Sequence, residues 1–189
     1  MVQRLPNSMC VAFLFHSLIP LADRAAASAW VSLAQESDPR TTALAWSRLG
    51  AIYEDAGKPS DALFAARKGL FAAQQAGADD IEFALDWQIA RLQKPQTPDQ
   101  SIDSYFRSIR ALQNVRHDLL IHLSRSGAPG SFRQNIGPVY YQLADMLIRR
   151  SQTKTGDAQQ EDLRLARQVI EQLKTVELED YFQDQCVNL

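Results

Sequence analysis

Cysteine is almost absent from this chain: Cys10 and Cys186 are the only two in 189 residues. They sit near opposite ends, so neither a disulfide framework nor a local Cys-x2-Cys metal site can be assembled from them, and they read as unpaired thiols. Glycine and proline are sparse, with eight of each, roughly 8% of the chain against about 12% in average usage. Long apolar runs are missing as well. The longest, residues 9–15, stops at His16 and falls far short of the ~18 residues a membrane-spanning helix requires. Charge of one sign is lacking too, since 20 Lys plus Arg face 22 Asp plus Glu for a net charge of −2. No global basic field points to nucleic acid or to an anionic membrane.

Alanine, leucine and glutamine fill what these absences leave, at about a third of the chain. Few breakers and many helix formers argue for an all-α protein. A chain of this size buries roughly 70% of its unfolded surface and needs no staple to fold.

The breakers that do occur mark helix ends. Asp38-Pro39 reads as an N-cap followed by proline in the first turn, opening a helix through Trp46 and Tyr53 that stops at Gly57. Pro59 opens a second, with Ala62, Leu63, Ala66, Leu70 and Ala73 on one stripe, ending at Gly77. The short connection makes the pair antiparallel. Asp79 or Asp80 caps a third helix through Phe83, Trp87 and Ala90 to Lys94, closed by Pro95. Thr97-Pro98 starts a long fourth, whose Ile102, Tyr105, Ile109, Leu112, Leu119 and Leu123 keep helical spacing until Gly127-Ala128-Pro129-Gly130. A fifth begins near Pro138 with Tyr140, Leu143, Leu147 and Ile148, and residues 153–157 form a polar loop. The sixth carries Leu163, Ala166, Ile170 and Leu173, and residues 178–182 make a last short turn.

Residues 1–38 are set apart. Arg4, the apolar stretch 9–22 and Ala27-Ser28-Ala29 imitate a secretory signal, interrupted by Pro6, His16 and Pro20. The alternative is a divergent helix over 21–36 with Leu21, Ala25, Ala29 and Leu33 on one face. A cytoplasmic location is expected, or export if the first 29 residues act as a signal. The chain then divides into two helix pairs over 39–126 and a third pair with a junction segment over 127–189.

Antiparallel pairs in series prompt a search for repeats. Trp46-x2-Leu49-Gly50-x2-Tyr53, followed by Gly57, Ala62 and Ala66, resembles the tetratricopeptide (TPR) pattern. Each position has a packing reason: Gly50 admits a close neighbour, Trp46, Leu49 and Tyr53 fill the gap between helices, and Ala62 fits where only a methyl does. Looser copies lie at Ile89-Ala90 with Ser101, and at Tyr140-x2-Leu143-Ala144-x2-Leu147. The alternative is an irregular helical bundle sharing one such match. The resemblance implies a right-handed superhelix of about three antiparallel pairs, with an N-terminal helix and a C-terminal junction helix.

A second likeness covers residues 42 to the end. It is carried by Asp61-Ala62-Leu63, Leu70-Phe71-Ala72-Ala73-Gln74-Gln75, Trp87-Gln88-Ile89-Ala90-Arg91-Leu92, Phe132-Arg133-Gln134, Gly137-Pro138-Val139-Tyr140 and Glu171-Gln172-Leu173-Lys174-Thr175-Val176-Glu177-Leu178-Glu179-Asp180-Tyr181-Phe182. These segments resemble the helical region preceding the caspase-like peptidase domain of bacterial CHAT-domain proteins. The likeness stops where catalysis would begin. It therefore implies no catalytic residue in this chain, no nucleophilic role for Cys186, and a regulatory or partner-sensing module whose parent is a cysteine peptidase. The CHAT domain would be a partner in cis or in trans.

Other chemistry is thin. His117 and His122 are five apart, about 140° around a helix, which is no shared metal face. No G-x-S-x-G, phosphate loop or H-E-x-x-H occurs, and no metal or cofactor is expected. Glu177, Glu179 and Asp180 read as a solvated helix end. Arg107, Arg110, Arg116 and Arg125 read as a solvated face, with a phosphate or RNA contact as the alternative.

If the array binds a protein or peptide in its concave groove, the TPR likeness selects Ser47, Ala51 and Glu54, then Trp87, Arg91 and Lys94, then Tyr141 and Asp145. Lys and Asn stand at the Ser47 and Ala51 positions in TPR domains that clamp a C-terminal carboxylate, so that clamp is absent. Trp87 and Arg91 are one turn apart and suit an aromatic and cationic contact to a partner, although Trp87 equally suits the core.

Overall fold

The computed structural model describes residues 38–125 and 136–187 together with Ala25 and Ser32; for 116–125 and 180–187 it describes the backbone alone. The signal-like stretch, Cys10, the Gly127 to Gly130 loop and the side chains of Arg116, His117, Leu119, His122, Leu123, Arg125 and Cys186 lie outside the described features.

The described residues form helices and no strand, so the protein is all-α. The order is α1 (Pro39–Asp55), α2 (Pro59–Ala76), α3 (Asp79–Gln93), α4 (Pro98–Arg125), α5 (Gly137–Ser151) and α6 (Gly156–Val187). Two compact units divide between Ile81 and Glu82.

In the first unit, Asp38 is extended and its carboxylate accepts from the backbone N–H groups of Arg40 and Thr41 at 2.9 and 3.1 Å. Two of the orphan donors at the start of α1 are satisfied, and Pro39 supplies a third position that needs no donor. The Thr41 hydroxyl and the two backbone donors hold the Asp38 carboxyl below its ordinary value. Gly57 ends α1 at φ +67 and Gly77 ends α2 at φ +58, left-handed conformations that a Cβ disfavours.

Between α1 and α2 the contact is built from small residues. Ala62, Ala65, Ala66, Gly69, Ala72 and Ala73 of α2 are buried. Ala45 and Leu49 of α1 meet Ala65, with Trp46, Ile52 and Tyr53 at the edge. Within the TPR-like motif Leu49 and Gly50 are buried while Trp46 and Tyr53 are half-buried. Trp46 meets Phe64 edge-on, 6.0 Å between centroids. Arg40 grips the Asp80 carboxylate with two guanidinium N–H groups. Burial opposes ionisation of Asp80, yet the Arg40 hydrogen bonds and charge outweigh it and hold the carboxyl below its ordinary value.

The second unit has a larger core. Ile102, Tyr105, Ile109 and Leu112 of α4 pack with Val139, Tyr140, Leu143 and Leu147 of α5 and with Ala166, Val169, Leu173 and Val176 of α6. On α4, beside this apolar stripe, Ser101, Ser104 and Ser108 are fully buried. Ser101 donates to the Ala90 carbonyl at 2.7 Å, Ser108 to the Phe83 carbonyl at 2.9 Å, and Ser104 to Gln93 Oε1 at 2.7 Å. The acceptors Phe83, Ala90 and Gln93 lie at i, i+7 and i+10 of α3 and share one face.

Two aspartates are buried in this unit. Asp86 receives Arg107 Nε at 3.1 Å; burial pushes its carboxyl up, and the Arg107 charge offsets only part of that. Asp162 receives Arg150 at 2.7 and 3.0 Å and Lys154 at 2.9 Å. Hydrogen bonds from Arg150 hold its carboxyl below the ordinary range against the effect of burial. Arg150 also reaches Asp99 at 3.0 Å, so one guanidinium at the end of α5 ties the first turn of α4, where the helix dipole favours a carboxylate, to the second turn of α6.

Three expectations need correction. There is no separate turn at 178–182: α6 continues to Val187, because residues 157–189 contain neither glycine nor proline to stop it. Glu177 and Glu179 therefore lie inside a helix, and the polar loop expected over 153–157 is shorter, since α6 starts at Gly156. Arg107 is exposed, with its guanidinium held by Asp86 and by Ser104 Oγ at 2.8 Å.

Candidate interaction surface on α3 and α5

Three sets of contacts fix how the helices of the second unit run. Ser101 meets Ala90 and Ser108 meets Phe83, so α4 is antiparallel to α3. Tyr105 meets Gln142 and Asp99 meets Arg150, so α5 is antiparallel to α4. Helices α3 and α5 therefore run in the same sense, and they touch directly: Trp87 Nε1 donates to Gln142 Oε1 at 2.7 Å, and Lys94 Nζ meets Asp145 Oδ2 at 3.3 Å.

The Gln142 carbonyl is the hub. It accepts from Trp87 and also from the Tyr105 hydroxyl at 3.1 Å, which uses both of its lone pairs. This fixes the indole on one side, while Phe83 packs at 5.8 Å on the other. The Arg91 guanidinium lies 5.2 Å from the Trp87 ring centroid, a cation–π arrangement suited to a half-exposed aromatic. Trp87 is half-buried, packed against the core cluster, and capped by a cation at the surface.

Lys94 and Arg149 flank Asp145; Arg149 Nε is 2.9 Å from both carboxylate oxygens. The hydrogen bond from Arg149, with the help of Lys94 and against a small opposing effect of burial, holds the Asp145 carboxyl low. Tyr141 stands beside this group with 42% of its surface exposed. The surface presents the Trp87–Arg91 pair and the exposed Tyr141 side chain.

Trp87 and Arg91 lie on α3, Lys94 in the turn just past its end, and Tyr141 and Asp145 on α5. Ser47, Ala51 and Glu54 lie on α1, in the other compact unit. Gln142, Tyr105 and Arg149 are the members that the sequence did not announce. Gln142 has no distinguishing pattern, and Tyr105 reads as an apolar stripe residue until its hydroxyl is located. Among the described residues no group of three or more His, Cys, Asp or Glu could hold a metal ion, and no helix is long and apolar enough to cross a membrane. Comparison with protein-family models, with curated proteins and with solved structures finds no match.

Proposed function

We propose that this chain is a noncatalytic protein-interaction module of TPR type, the partner-sensing region of a CHAT-type cysteine peptidase. The observation that carries the reading is that α5 packs on both helices of the preceding pair, antiparallel to α4 and in the same sense as α3. Stacked helix pairs of that kind give an extended surface from the first helix of each pair, and Trp87, Arg91 and Tyr141 occupy it. The motif from Trp46 to Ala62 and the segment from Glu171 to Phe182 support the family assignment. The segment also supports a second reading, in which the chain is a piece of the peptidase itself. An in-frame caspase-like domain with a His and Cys pair in the downstream DNA separates the two: its presence favours the parent enzyme, a stop codon followed by unrelated sequence an adaptor.

The binding role is tested by selecting displayed random peptides of about 12 residues on the full chain. Peptides so selected are expected to lose about tenfold or more in affinity for Arg91→Glu and for Tyr141→Ala, the scale of an interface hot spot. Peptides that bind both variants as tightly as the unaltered chain would remove this surface from the proposal.

A further inference from the structure

The seat that α3 and α4 offer to α5 has a counterpart that no described helix fills. Between α5 and α6 lies a groove of about 550 Å³ lined by Ala144 and Ile148 from α5 and by Leu163, Ala166, Ile170 and Lys174 from α6. Its floor is apolar. Ala144 and Ala166 are each 5% exposed, so they let a neighbour come close, while Ile148 and Leu163 at the margins are 43% and 39% exposed. From Leu163 to Lys174 the floor extends for about 16 Å, or three turns, at about 1.5 Å per residue. That suits the apolar stripe of one helix.

The charges along the edge are unequal. Arg167 is matched by Glu171 at 2.7 Å, and one turn before it Arg164 is matched by Glu161. Lys174 has no hydrogen bond or ion pair to any described residue. Among the described residues, the groove thus ends on one unmatched cation. In the filled seat, the arriving helix brings a carboxylate, Asp145, to the cation Lys94 at the end of α3.

We infer that the α5–α6 groove binds an amphipathic helix of a partner protein, one with a carboxylate beside its apolar stripe to meet Lys174. The inference rests on the geometry of α5 and α6 and not on the α3–α5 surface, so either can fail without the other.

Two synthetic helical peptides of about 18 residues serve as probes, both with leucine at i, i+3, i+4, i+7 and i+11. One carries glutamate beside the stripe and the other lysine. The glutamate peptide is expected to bind the full chain about tenfold more tightly, and Lys174→Glu to reverse the preference. The double variant Ile148→Arg with Leu163→Arg, at positions exposed enough to spare the core, is expected to abolish binding with the helical circular dichroism unchanged. Equal binding of the two peptides, no binding of either, or an unchanged preference in Lys174→Glu overturns the inference. So does light scattering that finds a dimer which the double variant dissociates, since a second copy would then be the occupant.

Discussion

The α1–α2 and α3–α4 pairs each close a gap between neighbouring helices, and they do it with different atoms. Along α2 the buried positions are alanines and one glycine, which contribute shape and no polar group. Along α4 the buried positions include Ser101, Ser104 and Ser108, whose hydroxyls cross to α3. Serine is scarcely larger than alanine, so both pairs achieve close approach. The serine contact adds direction, because each hydroxyl must find its acceptor or remain buried and unpaired. One seam tolerates sliding, and the other has a register.

The largest expected effect comes from overfilling. Ser104→Leu is expected to cost about 3 kcal/mol, through added volume and through the loss of a partner to both Gln93 and Arg107. Ala66→Leu, which adds similar bulk to a site with no polar partners, is expected to cost about 2 kcal/mol. Urea denaturation of the two variants measures the difference, and equal losses would mean that the hydroxyls add nothing.

Exchanging the two chemistries is gentler. Ser101→Ala removes a hydrogen bond to the Ala90 carbonyl, which keeps its intrahelical donor from Lys94, and is expected to cost about 1 kcal/mol. Ala62→Ser is expected to cost less than half of that, because a helical serine can return its hydroxyl to the carbonyl one turn back. Thermal unfolding orders the two, and a larger loss for Ala62→Ser would reverse the comparison.

The charge effects are comparably small and have opposite sign in the two units. Asp80 is held below its ordinary value, so its ionised form stabilises the fold above that value, and the contribution is lost as pH falls through the lowered one. Asp80→Asn is expected to lose about 0.5 kcal/mol at neutral pH, a figure reduced because the pair is partly exposed. Asp86 is held above its ordinary value, so its ionised form costs stability at neutral pH, and that cost disappears as pH falls through the raised value. Asp86→Asn, which still accepts from Arg107, is expected to gain about 0.5 kcal/mol at neutral pH, the gain shrinking in acid. Parallel pH series of melting temperatures test both signs.

Local signals were the legible ones. Asp38-Pro39, Gly57, Pro59, Gly77 and Thr97-Pro98 act within a turn of themselves, and the boundaries of α1 to α4 fall where they point. The continuation of α6 was also legible in principle, because nothing between residues 157 and 187 can end a helix. The serine seam left a trace, since Ser101, Ser104 and Ser108 repeat at three and four residues, but serine at such spacing equally suits a solvated face. The buried aspartates left none. Asp86 and Arg107 are 21 residues apart and Asp162 and Arg150 are 12, and a carboxylate read alone is placed in water. The candidate surface was half legible: the TPR likeness picks out Trp87, Arg91, Lys94, Tyr141 and Asp145, whereas Gln142 joins them only when α3 and α5 meet.

At about 1.5 Å per residue the 32 residues of α6 extend for about 48 Å, and the 15 of α5 for about 22 Å. The anchoring contacts of Asp162 with Arg150 and Lys154 are gathered in the first two turns of α6. Core residues Ala166, Val169, Leu173 and Val176 hold the helix further along, and only beyond Val176 does it run on as a lever, for about 16 Å, so that a tilt of roughly 5° there carries its far end through about 1.4 Å. The packing of α6 from Asp162 to Val176 therefore sets the aim of the turns that follow it.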